Sequence, residues 1–75
     1  MNERKKLKVI LVRNIKKQRT KLRLTQEEAA ERADITGKYW QRLEMASQID
    51  LPSLPVLQKI AKALRTSPSK LLNDF

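Results

Sequence analysis

The chain has 75 residues, 17 of them basic and 8 acidic, for a net charge of +9, and it has neither cysteine nor histidine. That length fits one domain, and the composition excludes disulfide staples, cysteine–histidine zinc sites, thiol chemistry and the commonest general base. The longest apolar run, Val9 to Val12, is far short of the ~20 residues of a membrane span or the ~7 of a signal-peptide core, so an intracellular, cytoplasmic protein without membrane contact is expected.

Residues 1–23 carry ten basic residues against Glu3 alone, whereas the rest of the chain balances seven against seven. Such a segment suits a polyanion, nucleic acid before an anionic membrane surface, or simply keeps the protein soluble. Residues 1–6 read as a flexible basic arm. Helix 1 is expected over Leu7 to Leu22, where Leu11, Ile15 and Leu22 recur at helical spacing. The β-branched residues of 7–12 leave a short strand as the alternative.

Thr25 opens helix 2, and Glu28 completes a capping box with it. Glu27, Glu28 and Glu31 suit the positive end of the helix dipole. Helix 2 is expected to end near Ala33, and its alanines, Ala29, Ala30 and Ala33, permit close helix approach. Thr36 caps helix 3, expected over Gly37 to Met45, with Trp40, Leu43 and Tyr39 inward and Lys38, Gln41 and Arg42 outward. Ser53 caps helix 4, with Pro55 in its first turn and Leu57, Ile60, Ala61 and Leu64 as its apolar stripe. Ser67 and Pro68 start a short helix 5 that carries Leu71 and Leu72. One all-α domain over 1–75 results, with a helix-turn-helix at 24–45 and C-terminal helices at 53–73.

The ordered string Leu24-Thr25-Gln26-Glu27-Glu28, Ala30-Glu31-Arg32-Ala33, Ile35-Thr36, Tyr39 and Arg42-Leu43-Glu44 resembles the Cro/repressor (Xre-type) helix-turn-helix family. Pro52-Ser53-Leu54, Lys59 to Leu64 and Ser67-Pro68 extend the likeness. The resemblance implies a five-helix, lambda-repressor-like domain whose helix 3 enters the major groove of double-stranded DNA. It implies base contacts from Gly37, Lys38, Gln41 and Arg42, with Lys38 and Arg42 suited to guanine. At Gly37 the missing side chain either admits close backbone approach or eases the turn. Phosphate contacts are implied for Gln26, Thr36, Tyr39 and Ser53, and the basic segment adds Lys5 and Lys6. Arg19 and Glu44 match a structural ion pair. Homodimerisation is expected, with Ile49, Leu51, Leu54, Leu71, Leu72 and Phe75 as candidate contacts.

The chain departs from the family in places. Ala29 replaces a bulky aliphatic residue and Trp40 an isoleucine or leucine, which reads as a volume exchange in the core, with an interface role for Trp40 as the alternative. Arg23, Asp34, Ala46 and Arg65 stand where glycine is common. The loop from Ala46 to Leu51 has no basic residue to grip phosphate.

These features point to a sequence-specific transcriptional regulator, such as a phage-type repressor or a restriction–modification controller. An antitoxin using the same fold to hold a toxin is the alternative, and a nonspecific RNA- or membrane-binding module is a third reading. An enzyme is not expected, nor a cofactor, metal or small-molecule ligand, since there is no Gly-rich phosphate loop and no metal-ligand spacing.

Overall fold

The computed structural model describes residues 3–45, 47 and 51–73, and among them it is all-helical. The helices are α1 (Glu3–Lys21), α2 (Gln26–Arg32), α3 (Gly37–Leu43), α4 (Leu54–Ala63) and α5 (Pro68–Leu71). Helix α1 begins at Glu3 instead of Leu7, so Arg4, Lys5 and Lys6 belong to the helix and not to an arm before it. The run has no glycine or proline to stop it, and Glu3 sits at the positive end of the dipole. The strand alternative for 7–12 is thereby replaced by helix. Helix α3 ends at Leu43, two residues earlier than expected, with Glu44 as its C-cap.

The helix starts follow from local capping. The Thr25 hydroxyl accepts from Glu28 N–H at 3.0 Å, and the Glu28 carboxylate accepts from Thr25 N–H at 2.9 Å, so two orphan donors are satisfied reciprocally. Thr36 accepts from Tyr39 N–H at 3.0 Å. Ser53 caps α4 and Ser67 caps α5, each followed by a proline in the first helical turn.

Three helices stop in the same way. Arg23, Asp34 and Arg65 have φ of 58°, 58° and 55°, the left-handed conformation in which a glycine costs least. After α2, Asp34 N–H reaches the Glu31 carbonyl and Ile35 N–H reaches that of Ala30. The same paired bonds close α1 at Arg23–Leu24 and α4 at Arg65–Thr66. These are Schellman ends built without glycine. The fourth position, Ala46, lies outside the described residues.

The core is one cluster. Leu11 and Ile15 of α1, Trp40 of α3, Ile60 of α4 and its C-cap Leu64 are fully buried. Trp40 is fully buried in the same cluster as Ala29 and Ala30, so the core reading of Trp40 holds. Leu71 also belongs to this core, which removes it from the expected dimer contacts. Leu51 and Leu72 are half-buried against the same cluster.

Two amides on α1 fasten the C-terminal half. Asn14 Nδ2 donates to the carbonyls of Leu71 at 2.7 Å and Asn73 at 2.8 Å. One turn later Gln18 Nε2 donates to Leu64 O at 2.9 Å. The orphan carbonyls at the ends of α5 and α4 are thus satisfied from a third helix.

Candidate nucleic-acid interface

Helix α3 has two faces. Trp40 and Leu43 are buried, while Lys38, Gln41 and Arg42 are exposed on the opposite side. Gly37, in the first turn, is half-buried, and so is Tyr39, which packs against the core. Gly37 does not have positive φ. A Cβ there would meet Glu27 Cγ at 3.6 Å, an ordinary contact. The fold therefore does not require glycine at 37, and the notion that it eases the turn is set aside.

The orientation of α3 is fixed from beneath by Glu44. Its carboxylate accepts from Arg19 Nε at 2.7 Å and Arg19 Nη2 at 3.0 Å, a bidentate pair. It also accepts from Gln26 Nε2 at 3.1 Å and from the Trp40 indole N–H. Arg19 Nη1 additionally donates to Leu24 O at 2.8 Å. The Glu44 side chain is only 2% exposed and that of Arg19 13%, so the expected ion pair is present and largely shielded from water. Burial pushes the Glu44 carboxyl upward, but the bonds from Arg19, Trp40 and Gln26 outweigh it and hold the carboxyl below the usual range.

Gln26 opens α2 as expected, yet one amide N–H is committed to Glu44. This leaves the other N–H for an outside partner. Glu28 is held below its ordinary range by the Thr25 backbone N–H. Ser53 and Thr36 are exposed caps. Lys5 and Lys6 are exposed on the first turns of α1, far along the chain from α3. Leu54 is 63% exposed, while Ile49 and Phe75 lie outside the described residues.

Sequence reasoning missed three features. It did not join Trp40 and Gln26 to Glu44, although Trp40 of α3 and Glu44, its C-cap, are spaced i, i+4. It did not assign Asn14 and Gln18 their capping roles. It counted Lys8 in the basic segment, whereas Lys8 is 1% exposed and engaged within the protein. No local signal marks that burial.

Among the described residues no helix is long and apolar enough to cross a membrane. A family model described as helix-turn-helix, of the Cro/C1 type, matches residues 15–71, most of the chain. Comparison with curated proteins and with solved structures gave no match.

Proposed function

Because the chain belongs to the helix-turn-helix family, a family of DNA-binding regulators, we propose that it is a small transcriptional regulator that reads duplex DNA with α3. The observation that carries this reading is the division of α3. Lys38, Gln41 and Arg42 stand exposed on one side, and buried Trp40 and Leu43 hold the helix from the other. Polar side chains on a rigidly anchored helix suit base edges in the major groove. Lys38 and Arg42 are donors for guanine O6/N7, Gln41 for adenine, and Gly37 admits the DNA backbone close to the helix start.

Around this face, the free N–H of Gln26, the hydroxyls of Thr36, Tyr39 and Ser53, and the cations Lys5 and Lys6 are the proposed phosphate contacts. Dimerisation through Leu54, with Leu51 and Met45 before it along the α3–α4 connection, would pair two reading helices on a palindromic site. Among the described residues of this region, Leu54 and Met45 are the exposed large apolar side chains, at 63% and 47%.

Selection of bound sequences from a random duplex pool at near-physiological salt tests the proposal, with Arg42→Ala run in parallel. An enriched palindromic motif that loses preference at one position in the variant supports α3 as the reader. A pool that remains random refutes sequence-specific reading.

A further inference from the structure

Seven basic residues follow residue 23, and Lys38 and Arg42 belong to α3. The other five do not scatter. Arg32, Lys59, Lys62 and Arg65 line a groove of about 430 Å³ between the C-terminal ends of α2 and α4, over a floor of Ala33 and Ala63. Lys70 lines a second groove, of about 200 Å³, together with Lys17 of α1. Arg65 lines the first groove and the next residue, Thr66, lines the second, and no residue of α3 lines either one.

All six cations are exposed, and among the described lining residues Asp34 is the one acid, although Arg32 also lies beside Glu28 and Glu31 of its own helix. Three of the cations, Arg32, Lys62 and Lys70, sit in last helical turns, where they complement helix dipoles. A helix end carries only about half a charge, and the acids near the band, Asp34, Glu28 and Glu31, lie at its Arg32 end, so Lys59, Lys62, Arg65, Lys70 and Lys17 keep it positive. Arg65 also keeps an arginine at a φ of 55°, where glycine would be less strained. Among the described residues, the exposed large apolar side chains, Leu7, Val9, Met45 and Leu54, all lie outside both grooves. An acidic protein segment would be expected to add an apolar anchor. Exposed cations in two grooves, without such an anchor among the described residues, match a chain of phosphates.

We propose that this band is a second, sequence-independent nucleic-acid surface, which holds the phosphate backbone of a duplex other than the one α3 reads. The protein then bridges two DNA segments. The inference rests on the DNA-binding reading of α3.

The test uses the full chain on beads carrying the duplex selected by α3, with capture of a labelled duplex of unrelated sequence as the readout. The band variant is Lys59→Gln, Lys62→Gln and Lys70→Gln. The charge-matched control is Arg4→Gln, Lys16→Gln and Lys21→Gln, at positions that line neither groove. Circular dichroism checks the fold of each. Wild type should capture the second duplex. The band variant should lose most of that capture, several-fold more than the control, while still selecting the same motif. Its salt dependence of second-duplex capture should flatten by about 0.9 in log–log slope per phosphate contact removed.

Equal loss in both variants would reduce the effect to net charge and overturn the band. A wild-type protein that holds the first duplex but captures no second one overturns bridging alone. Failure to hold the first duplex refutes the α3 reading as well. Capture of polyglutamate but not of DNA would overturn the inference in favour of an acidic protein partner.

Discussion

The indole N–H of Trp40 donates to the carboxylate of Glu44 one turn further along the chain, and this bond lies within the core. The same carboxylate takes Arg19 from α1 and Gln26 from α2. One acidic side chain thus ties three helices together directly beneath the exposed face of α3. Arg19 and Glu44 are the pair the family pattern implies, and Trp40, one of the departures from that pattern, has been drawn into it. A tryptophan in a core brings a polar N–H that must be satisfied, and Glu44 supplies the acceptor.

Removing one partner leaves the other charge buried. Arg19→Met should therefore destabilise the protein by about 3–5 kcal/mol, a large share of the ~5–10 kcal/mol expected for a domain of this size. Glu44→Gln keeps the shape but loses the charge, and should cost somewhat less. Urea unfolding of the two single variants and of the double variant gives the coupling energy. Additive losses would show that the pair contributes nothing beyond its separate packing.

Acid should expose the same network. Glu44 is depressed in the fold relative to its ordinary value near 4.5, so as pH falls the unfolded chain takes up a proton first. The stabilisation from Glu44 is complete above that ordinary value and disappears as pH drops through the lower folded value. Glu28, also depressed through its bond with Thr25 N–H, acts in the same direction. Thermal midpoints measured from pH 7 to 2 should fall most steeply below about 4.5, and Glu44→Gln should flatten that fall. A Glu44→Gln profile parallel to wild type would remove Glu44 from the acid response.

Much of this architecture is legible in the sequence because its signals are local. Thr25 and Glu28, Thr36, Ser53 and Ser67 lie within three residues of the N–H groups they cap, and the buried stripe of α4 has simple helical spacing. The start of α1 was missed because Arg4 to Leu7 bury no face, so periodicity carries no signal there. The bonds from Asn14 to Leu71 and Asn73, and from Gln18 to Leu64, span more than 40 residues of chain, and no spacing rule connects them. The exposed side of α3 was legible for a different reason: Trp40 and Leu43 claim the buried side, which leaves Lys38, Gln41 and Arg42 to solvent.

The glycine-free helix ends should be improvable. Asp34→Gly and Arg65→Gly relieve a left-handed conformation while keeping the bonds from residues 34 and 35 and from residues 65 and 66. Each should stabilise by about 0.5–1 kcal/mol, after allowing for the greater freedom of glycine in the unfolded chain. In a domain this small that is a rise of several degrees, at about 4–8 °C per kcal/mol. Calorimetry reads it directly. A lower midpoint in both variants would mean that the side chains at 34 and 65 contribute more than their backbone strain costs.

Leu54 tests the proposed dimer. Its side chain is 63% exposed at the start of α4, so Leu54→Arg should leave the monomer fold within about 0.5 kcal/mol of wild type. If Leu54 lies at the centre of a dimer contact, the arginine should weaken self-association at least tenfold in analytical ultracentrifugation. It should also weaken binding to a full palindrome more than to one half-site. Identical sedimentation of the two proteins would exclude this face.

Gly37 allows folding and binding to be told apart. No positive φ requires glycine there, and the nearest atom to an added Cβ is Glu27 Cγ at 3.6 Å. Gly37→Ala should therefore fold normally and gain up to about 0.5–1 kcal/mol, because alanine loses less chain entropy in a helix. If the DNA backbone or a base edge packs against this position, the same methyl group should weaken specific binding several-fold. Thermal unfolding and titration with the selected duplex measure the two effects on one sample. A more stable protein with weaker binding would assign Gly37 to the DNA contact. A more stable protein with unchanged affinity would move the contact toward Lys38, Gln41 and Arg42, further into α3.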